Sequence, residues 1–139
     1  MTHPVQYCAP EESIKEVAEI MKAANIGCVP VASYETKLLL GIISERDLVL
    51  KVLAEGKHPN EMKAGEVMSH SFITCTPDTS LDEVVRLMGE HQLRRMPVVD
   101  QDYRLVGIVS VSDIAERIPP HTMDLLVSVL GANKAGKSG

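Results

Sequence analysis

Two four-residue runs hold the side chains best suited to chemistry: Ser44-Glu45-Arg46-Asp47 and Ser110-Val111-Ser112-Asp113. Each sets a carboxylate three residues after a hydroxyl, with a glycine (Gly41, Gly107) three residues before the serine. Both stand where an apolar, strand-like stretch gives way to a helix-like one. A serine at such a junction sits among unbonded backbone N–H groups, which suit an anion. A carboxylate in the first helical turn can accept both hydroxyls of a ribose diol, as an acidic residue does in dinucleotide sites of another fold. Arg46, Arg94 and Arg95 offer planar forks that match phosphate. The same pairs also fit plain helix caps, with serine as N-cap and aspartate bonding back. Their recurrence at the same junction in both halves of the chain favours a ligand role, and the two roles are compatible. Catalysis finds little support: neither serine has an adjacent base, there is no G-x-S-x-G, and the two aspartates lie in separate halves.

Other reactive residues are scattered. Cys8, Cys28 and Cys75 form no C-x-x-C, and an odd count without a secretory signal reads as reduced thiols in a cytoplasmic protein. Cys8 and Cys75 read as small buried hydrophobes. His3, His58, His70, His91 and His121 make no metal-ligand cluster, so no metal is expected. The run from Gly131 to Ser138 spells G-x-x-x-x-G-K-S, but a phosphate-cradling loop needs a helix after it and the sequence ends at Gly139. It reads as a flexible tail. A formal charge of −5 opposes a nucleic-acid partner, and an aromatic content of 3% leaves little to stack bases on. No apolar run approaches the ~18 residues of a membrane span.

The elements that must position these residues come from an internal repeat. Shifted by 67, the sequence meets itself: Met1 falls on Met68, His3 on His70, Cys8 on Cys75, Pro10 on Pro77, Ser13 on Ser80, Met21 on Met88 and Pro30-Val31 on Pro97-Val98. One extra turn residue then changes the shift to 66, and Gly41-Ile42-Ile43-Ser44 falls on Gly107-Ile108-Val109-Ser110. Each unit starts with an extended stretch (Val5 to Cys8, Phe72 to Thr76). A helix with an S-x-x-E start follows, at Ser13 and at Ser80. Apolar residues recur at helical spacing: Ile14, Val17, Ala18 and Met21, then Leu81, Val84, Val85 and Met88. Two strands joined by a polar turn come next (around Val29–Ala32 and Leu38–Ile43, Met96–Val99 and Leu105–Val109). Ser44 and Ser110 then open a second helix, ended by Gly56 in one unit and by Pro119-Pro120 in the other. The order is β-α-β-β-α, twice.

This unit, ending in G-h-h-[ST]-x-x-D, resembles the CBS (cystathionine-β-synthase-type) domain. The motif stands here as Gly41-Ile42-Ile43-Ser44-Glu45-Arg46-Asp47 and Gly107-Ile108-Val109-Ser110-Val111-Ser112-Asp113. The Val67-Met68-Ser69 lead-in and the apolar-Pro-Val strands are also similar to that family. Two copies in tandem resemble a Bateman module, as in the regulatory part of inosine-monophosphate dehydrogenase. The catalytic barrel of that enzyme needs roughly 250 residues and has no room here.

The resemblance implies an α/β (α+β) fold, with two repeats related by a pseudo-twofold axis and packed through their sheets. It implies clefts that take AMP, ADP, ATP, NAD or S-adenosylmethionine, with no catalysis. Asp47 and Asp113 would meet the ribose, and Ser44 and Ser110 the phosphate side with Arg46, Arg94 and Arg95. Gly27, Cys28, Pro30 and Pro97 would lie beside the base, and His70 completes the set. Arg46 faces Ser112 between the repeats, and Gly27-Cys28 face Arg94-Arg95, so the two clefts should be unequal. The expected layout is repeat one over 1–56, a linker over 57–65, repeat two over 66–119, a C-terminal helix over 120–130 and the tail over 131–139. A homodimer and a separate effector protein are the expected partners. The competing expectation is a ligand-free pairing scaffold.

Overall fold

The computed structural model describes residues 5–115. The proline stop at 119–120, the helix over 120–130, the tail over 131–139, and His3 and His121 lie outside the described residues. Within them the chain forms two compact units, 5–72 with 99–106, and 73–98 with 107–115.

In the first unit α1 spans Ile14–Ala24. Its start is a complete capping box: the Glu16 N–H donates to Ser13 Oγ at 3.2 Å, and the Ser13 N–H donates to Glu16 Oε1 at 3.2 Å. Ile14, Val17 and Met21 are buried along one stripe, and Asn25 ends the helix in the left-handed region at φ 55°. Ala18, expected on the apolar face, is exposed; Ile20 and Ile26 pack against the core in its place. Strand β1, Cys28–Ala32, pairs antiparallel with β2, Leu39–Ser44, in the register Val29↔Ile43 and Val31↔Gly41. The leading extended stretch is one bridge long. The Cys8 N–H donates to the Pro30 carbonyl at 3.0 Å, and the Ala32 N–H donates to the Cys8 carbonyl at 2.9 Å. Pro30 fits in this strand because its carbonyl is what the ladder uses there.

After Ser44 comes one α-helical turn, α2, Glu45–Asp47, which widens into a π-helix over Leu48–Leu53. The Ala54 N–H reaches the Val49 carbonyl at 2.8 Å, and Gly56 closes the segment at φ 68°. Residues 57–65 are docked along the start of α1. They carry a 3-10 turn, Pro59–Glu61, and lead into α3, Ala64–Val67. The Ile14 N–H donates to the Met62 carbonyl at 2.9 Å, and the Ala64 N–H to the Glu12 carbonyl at 2.8 Å. Ala64 and Val67 join the core of Cys8, Ile14, Val17, Val29, Val31 and Ile43.

The second repeat follows the same plan. Helix α4, Leu81–His91, starts on Ser80, whose Oγ accepts the Glu83 N–H at 3.2 Å. The reciprocal half of the box is missing because the Glu83 carboxylate is forked by Arg86 at 2.7 and 2.6 Å; Arg86 also pairs with Glu90. Val84, Val85 and Met88 are buried with Cys75, Met96, Val98 and Ile114. Leu81, expected in the core, is 37% exposed. Strands β3, Arg95–Val99, and β4, Leu105–Ser110, form the second hairpin, followed by α5, Val111–Ala115. The Cys75 N–H donates to the Pro97 carbonyl at 3.1 Å, repeating the Cys8–Pro30 contact.

The hairpin tip 99–106 packs with the first unit. The Leu39 N–H donates to the Tyr103 carbonyl at 3.0 Å and the Leu105 N–H to the Lys37 carbonyl at 2.8 Å. Ala32, Leu39, Val99 and Leu105 are buried beneath Val5, Tyr7 and Phe72. The chain's three tyrosines and one phenylalanine all gather here, as the ring pairs Tyr7–Tyr34 and Phe72–Tyr103.

Candidate functional site

The two strand-to-helix junctions are built alike. In the first, the Ser44 N–H donates to Asp47 Oδ2 at 2.9 Å, and the Asp47 N–H donates to Ser44 Oγ at 3.2 Å. In the second, the Ser110 N–H donates to Asp113 Oδ2 and the Asp113 N–H to Ser110 Oγ, both at 3.2 Å. The next N–H is also taken: Glu45 donates to the Gly27 carbonyl and Val111 to the Arg94 carbonyl, each at 2.9 Å. The junctions therefore offer an anion fewer free N–H groups than their sequence suggests.

The aspartates differ in what holds their outer oxygens. Asp47 Oδ1 pairs with Lys51 Nζ at 3.1 Å, and the same ammonium donates to the Val67 carbonyl at 3.0 Å. Asp113 Oδ1 has no partner among the described residues; Arg117, at the repeat position of Lys51, lies outside them. Glu45 folds over Gly27, where an added Cβ would stand 2.8 Å from Glu45 Oε1. The motif glycine Gly41 has a packing reason. Ile42 and Ser69 exchange backbone bonds at 3.0 and 2.8 Å, and a Cβ on Gly41 would lie 2.6 Å from Met68 Sδ.

A cavity of ≈ 240 Å³ opens in the second unit. Its walls are apolar: Cys75, Pro77, Leu81, Val84, Val98, Val109 and Ile114. Its polar groups are the hydroxyls of Thr76 and Thr79 and the carboxylate of Asp113. The Thr76 N–H donates to Thr79 Oγ1 at 2.9 Å, and the two hydroxyls lie 3.2 Å apart. This turn sits directly before the Ser80 cap, so the start of α4 fixes it.

Of the residues that the sequence suggests for nucleotide binding, Asp113 lines this cavity and the others do not. Pro30 and Pro97 are fully buried in their strands. Cys28 is half-buried at the start of β1, opposite Ser44. Arg46, Arg94 and His70 are exposed and Arg95 is half-buried; among the described residues none of the three arginines has an ion-pair partner. Thr76, Pro77 and Thr79 were not foreseen. Their signal was a hydroxyl-rich turn, Thr76-Pro77-Asp78-Thr79-Ser80, ahead of a cap.

The buried thiols are poor nucleophiles. Burial, reinforced by Glu12 and Glu16, pushes the Cys8 thiol up to about 12. Burial raises Cys75 as well. Protonated thiols of this kind neither attack nor ligate readily. Among the described residues no group of three or more His, Cys, Asp or Glu is placed to hold a metal ion. No helix among them is long and apolar enough to cross a membrane.

Two hairpins, each flanked by helices and each closing on a Ser–Asp junction, define a tandem repeat pair. A family model described as the CBS domain matches residues 1–54 and again 64–120. The chain belongs to the CBS-domain family and carries two copies.

It is 41% identical over 115 residues to the uncharacterized protein YlbB of Bacillus subtilis, covering 83% of this chain and 76% of that one. It is 30% identical over 109 residues to inosine-5′-monophosphate dehydrogenase of Methanocaldococcus jannaschii, covering 78% of this chain and 21% of that enzyme. Among solved structures it is similar to Hypoxic Response Protein I with two coordinated zinc ions, at 35% identity and TM-score 0.75, covering 86% of this chain and 95% of the other. It is also similar to the CBS domain pair of protein MJ0100 in complex with 5-methylthioadenosine and S-adenosyl-L-methionine, at 32% identity and TM-score 0.70, covering 84% and 89%. CBSX2 in complex with AMP matches at 26% identity and TM-score 0.68, covering 81% and 85%.

Proposed function

We propose that this chain is a non-catalytic regulatory module that binds an adenine nucleoside or nucleotide, with its main site in the second repeat. The observation that carries the reading is Asp113 on an apolar cavity of ≈ 240 Å³. Its Oδ1 has no partner among the described residues and could accept the two hydroxyls of a ribose, while Oδ2 accepts the Ser110 N–H. Leu81, Val84, Val98 and Val109 supply flat apolar contact for a purine. The relatives solved with AMP and with S-adenosyl-L-methionine support the adenosine class. A volume below the usual ~300–1,000 Å³ of small-molecule pockets suits one nucleoside better than the dinucleotide NAD.

Gly27, Cys28, Pro30, Ser44, Arg46 and Asp47 make the corresponding, weaker set of the first repeat, because Lys51 already occupies Asp47. Arg94, Arg95, Pro97, Ser110 and His70 complete the assignment as supporting residues. The repeats run over 1–56 and 66–119. The molecule works as a homodimer in a reducing, cytoplasmic setting, and its output passes to a separate effector protein. Ligand acts through a difference in affinity between two states.

Isothermal titration with AMP, ADP, ATP, NAD and S-adenosylmethionine, against GTP, tests this reading. At least one adenine ligand binds, and Asp113→Ala weakens it about tenfold or more, the worth of hydrogen bonds to a charged group. Equal affinity in the variant would sink the ribose assignment.

A second reading, the ligand-free pairing scaffold, has one observation in its favour. Val49, Leu50 and Leu53 on the π-helical segment are 50%, 46% and 73% exposed, an apolar stripe of the kind that pairing surfaces use. Under it the titration stays flat for every adenine ligand.

A further inference from the structure

In the first unit, the place that corresponds to the second-repeat cavity is taken. Pro10, Glu12 and Ile14 stand at the repeat positions of the lining residues Pro77, Thr79 and Leu81. All three are bonded to the segment 62–67. The Gly65 N–H donates to the Pro10 carbonyl at 2.9 Å, the Ala64 N–H to the Glu12 carbonyl at 2.8 Å, and the Ile14 N–H to the Met62 carbonyl at 2.9 Å. Gly65 permits this approach, since a Cβ there would stand 3.1 Å from Pro10 Cβ. Ala64 and Val67 fill the space with methyl groups and are buried. Ile14 is buried with them, whereas its counterpart Leu81 is exposed.

Lys51 ties that segment to the first-repeat carboxylate. It stands one turn beyond Asp47, and its ammonium is shared between Asp47 Oδ1 at 3.1 Å and the Val67 carbonyl at 3.0 Å. The Val67 carbonyl lies in the last turn of α3, where carbonyls lack helical partners. Asp47 Oδ2 accepts the Ser44 N–H at 2.9 Å, so both carboxylate oxygens are engaged. With 16% of its side chain exposed, Asp47 has little room for a ribose diol while the ammonium stands there. One side chain thus holds the segment in its seat and the carboxylate out of use.

We propose that Lys51 is a latch on the first repeat: it keeps residues 62–67 seated and Asp47 closed, so the first-repeat set takes a ligand only once the ammonium lets go. The inference rests on the reading that the Ser–Asp junctions bind an adenine ligand. It adds the residue that makes the two repeats unequal.

The experiment is a calorimetric titration of the full chain with adenosine and with AMP, in an Asp113→Ala background that weakens the second-repeat site. Adding Lys51→Met restores binding of at least one of the two, about fivefold to tenfold tighter than Asp113→Ala alone, as expected for the loss of one part-exposed charged contact. Lys51→Arg keeps the charge and leaves the site closed. Adding Asp47→Ala to the restored variant abolishes the gain. A purely structural Lys51 would give no gain of binding. Without ligand, Lys51→Met in the otherwise wild-type chain also speeds amide exchange at Ala64 and Gly65 severalfold relative to Lys51→Arg. Binding by wild type with no gain on adding Lys51→Met overturns the latch and leaves the adenine reading standing, and so does equal exchange in the two variants. Binding by Lys51→Met and not by wild type supports the latch and overturns the second-repeat site. Failure of every protein to bind overturns both.

Discussion

Cys8 illustrates how a single side chain reports on the packing of a whole unit. Its thiol is fully buried between α1 and β1, and its pKa stands at about 12 against an ordinary 9.0. Between those values the unfolded chain releases a proton that the folded chain keeps. The unfolded state then binds fewer protons, so stability falls as pH rises. The contribution is fully present below about pH 9 and is lost by up to about 1.4 kcal/mol for each pH unit above it. Urea midpoints measured from pH 8 to 11 should show this alkaline loss, and Cys8→Ala should flatten it. An unchanged slope in the variant would mean that Cys8 ionises freely in the fold. At the same scale, the Ser–Asp pairs prove to be both caps and candidate ligands. Sequence shows the pairing, because hydroxyl and carboxylate three apart suit a helix start. It does not show that Lys51 reaches Asp47, since an i,i+4 contact depends on which rotamer the neighbouring Val67 carbonyl favours.

The helices and strands were largely readable from pattern. Helix α1 kept its capping box because Glu16 has no competing cation, whereas Glu83 turned to Arg86. Sequence contains both facts, but the outcome depends on side-chain geometry. The stretch 57–65 is a different case. Its Gly, Pro, Asn and Lys read as a free connector, yet its backbone is bonded to Pro10, Glu12 and Ile14. Such backbone pairing leaves no mark on composition. The widening of α2 into a π-helix was likewise invisible. Gly41 belongs to this scale, since it lets the segment Met68–Ser69 lie flat on β2. Replacing it by alanine would force Cβ to 2.9 Å from the Ser69 carbonyl, which is backbone and cannot swing aside. Gly41→Ala should lower stability by about 1–3 kcal/mol with the helical signal retained. Chemical denaturation measures it, and a midpoint equal to wild type would show that the contact relaxes without cost.

At the scale of the molecule, the repeat was the strongest signal, because two 66–67-residue copies align residue by residue. It announced the CBS pair, and the family match over 1–54 and 64–120 established it. The cavity was less legible. Thr76 and Thr79 carry no motif, and their use depends on where the turn before α4 meets β3 and β4. Two features then divide the regulatory reading from the scaffold reading: Asp113 on the cavity, its Oδ1 without a partner among the described residues, and the exposed stripe of Val49, Leu50 and Leu53. They answer to one measurement, thermal unfolding of the purified protein with adenosine, AMP, ADP, ATP, NAD and S-adenosylmethionine, and with GTP as control. A ligand at 100 times its dissociation constant adds about 2.7 kcal/mol, which raises the midpoint by several degrees. The account predicts such a rise with at least one adenine compound and none with GTP. No rise with any adenine compound at millimolar concentration would contradict it and leave the scaffold.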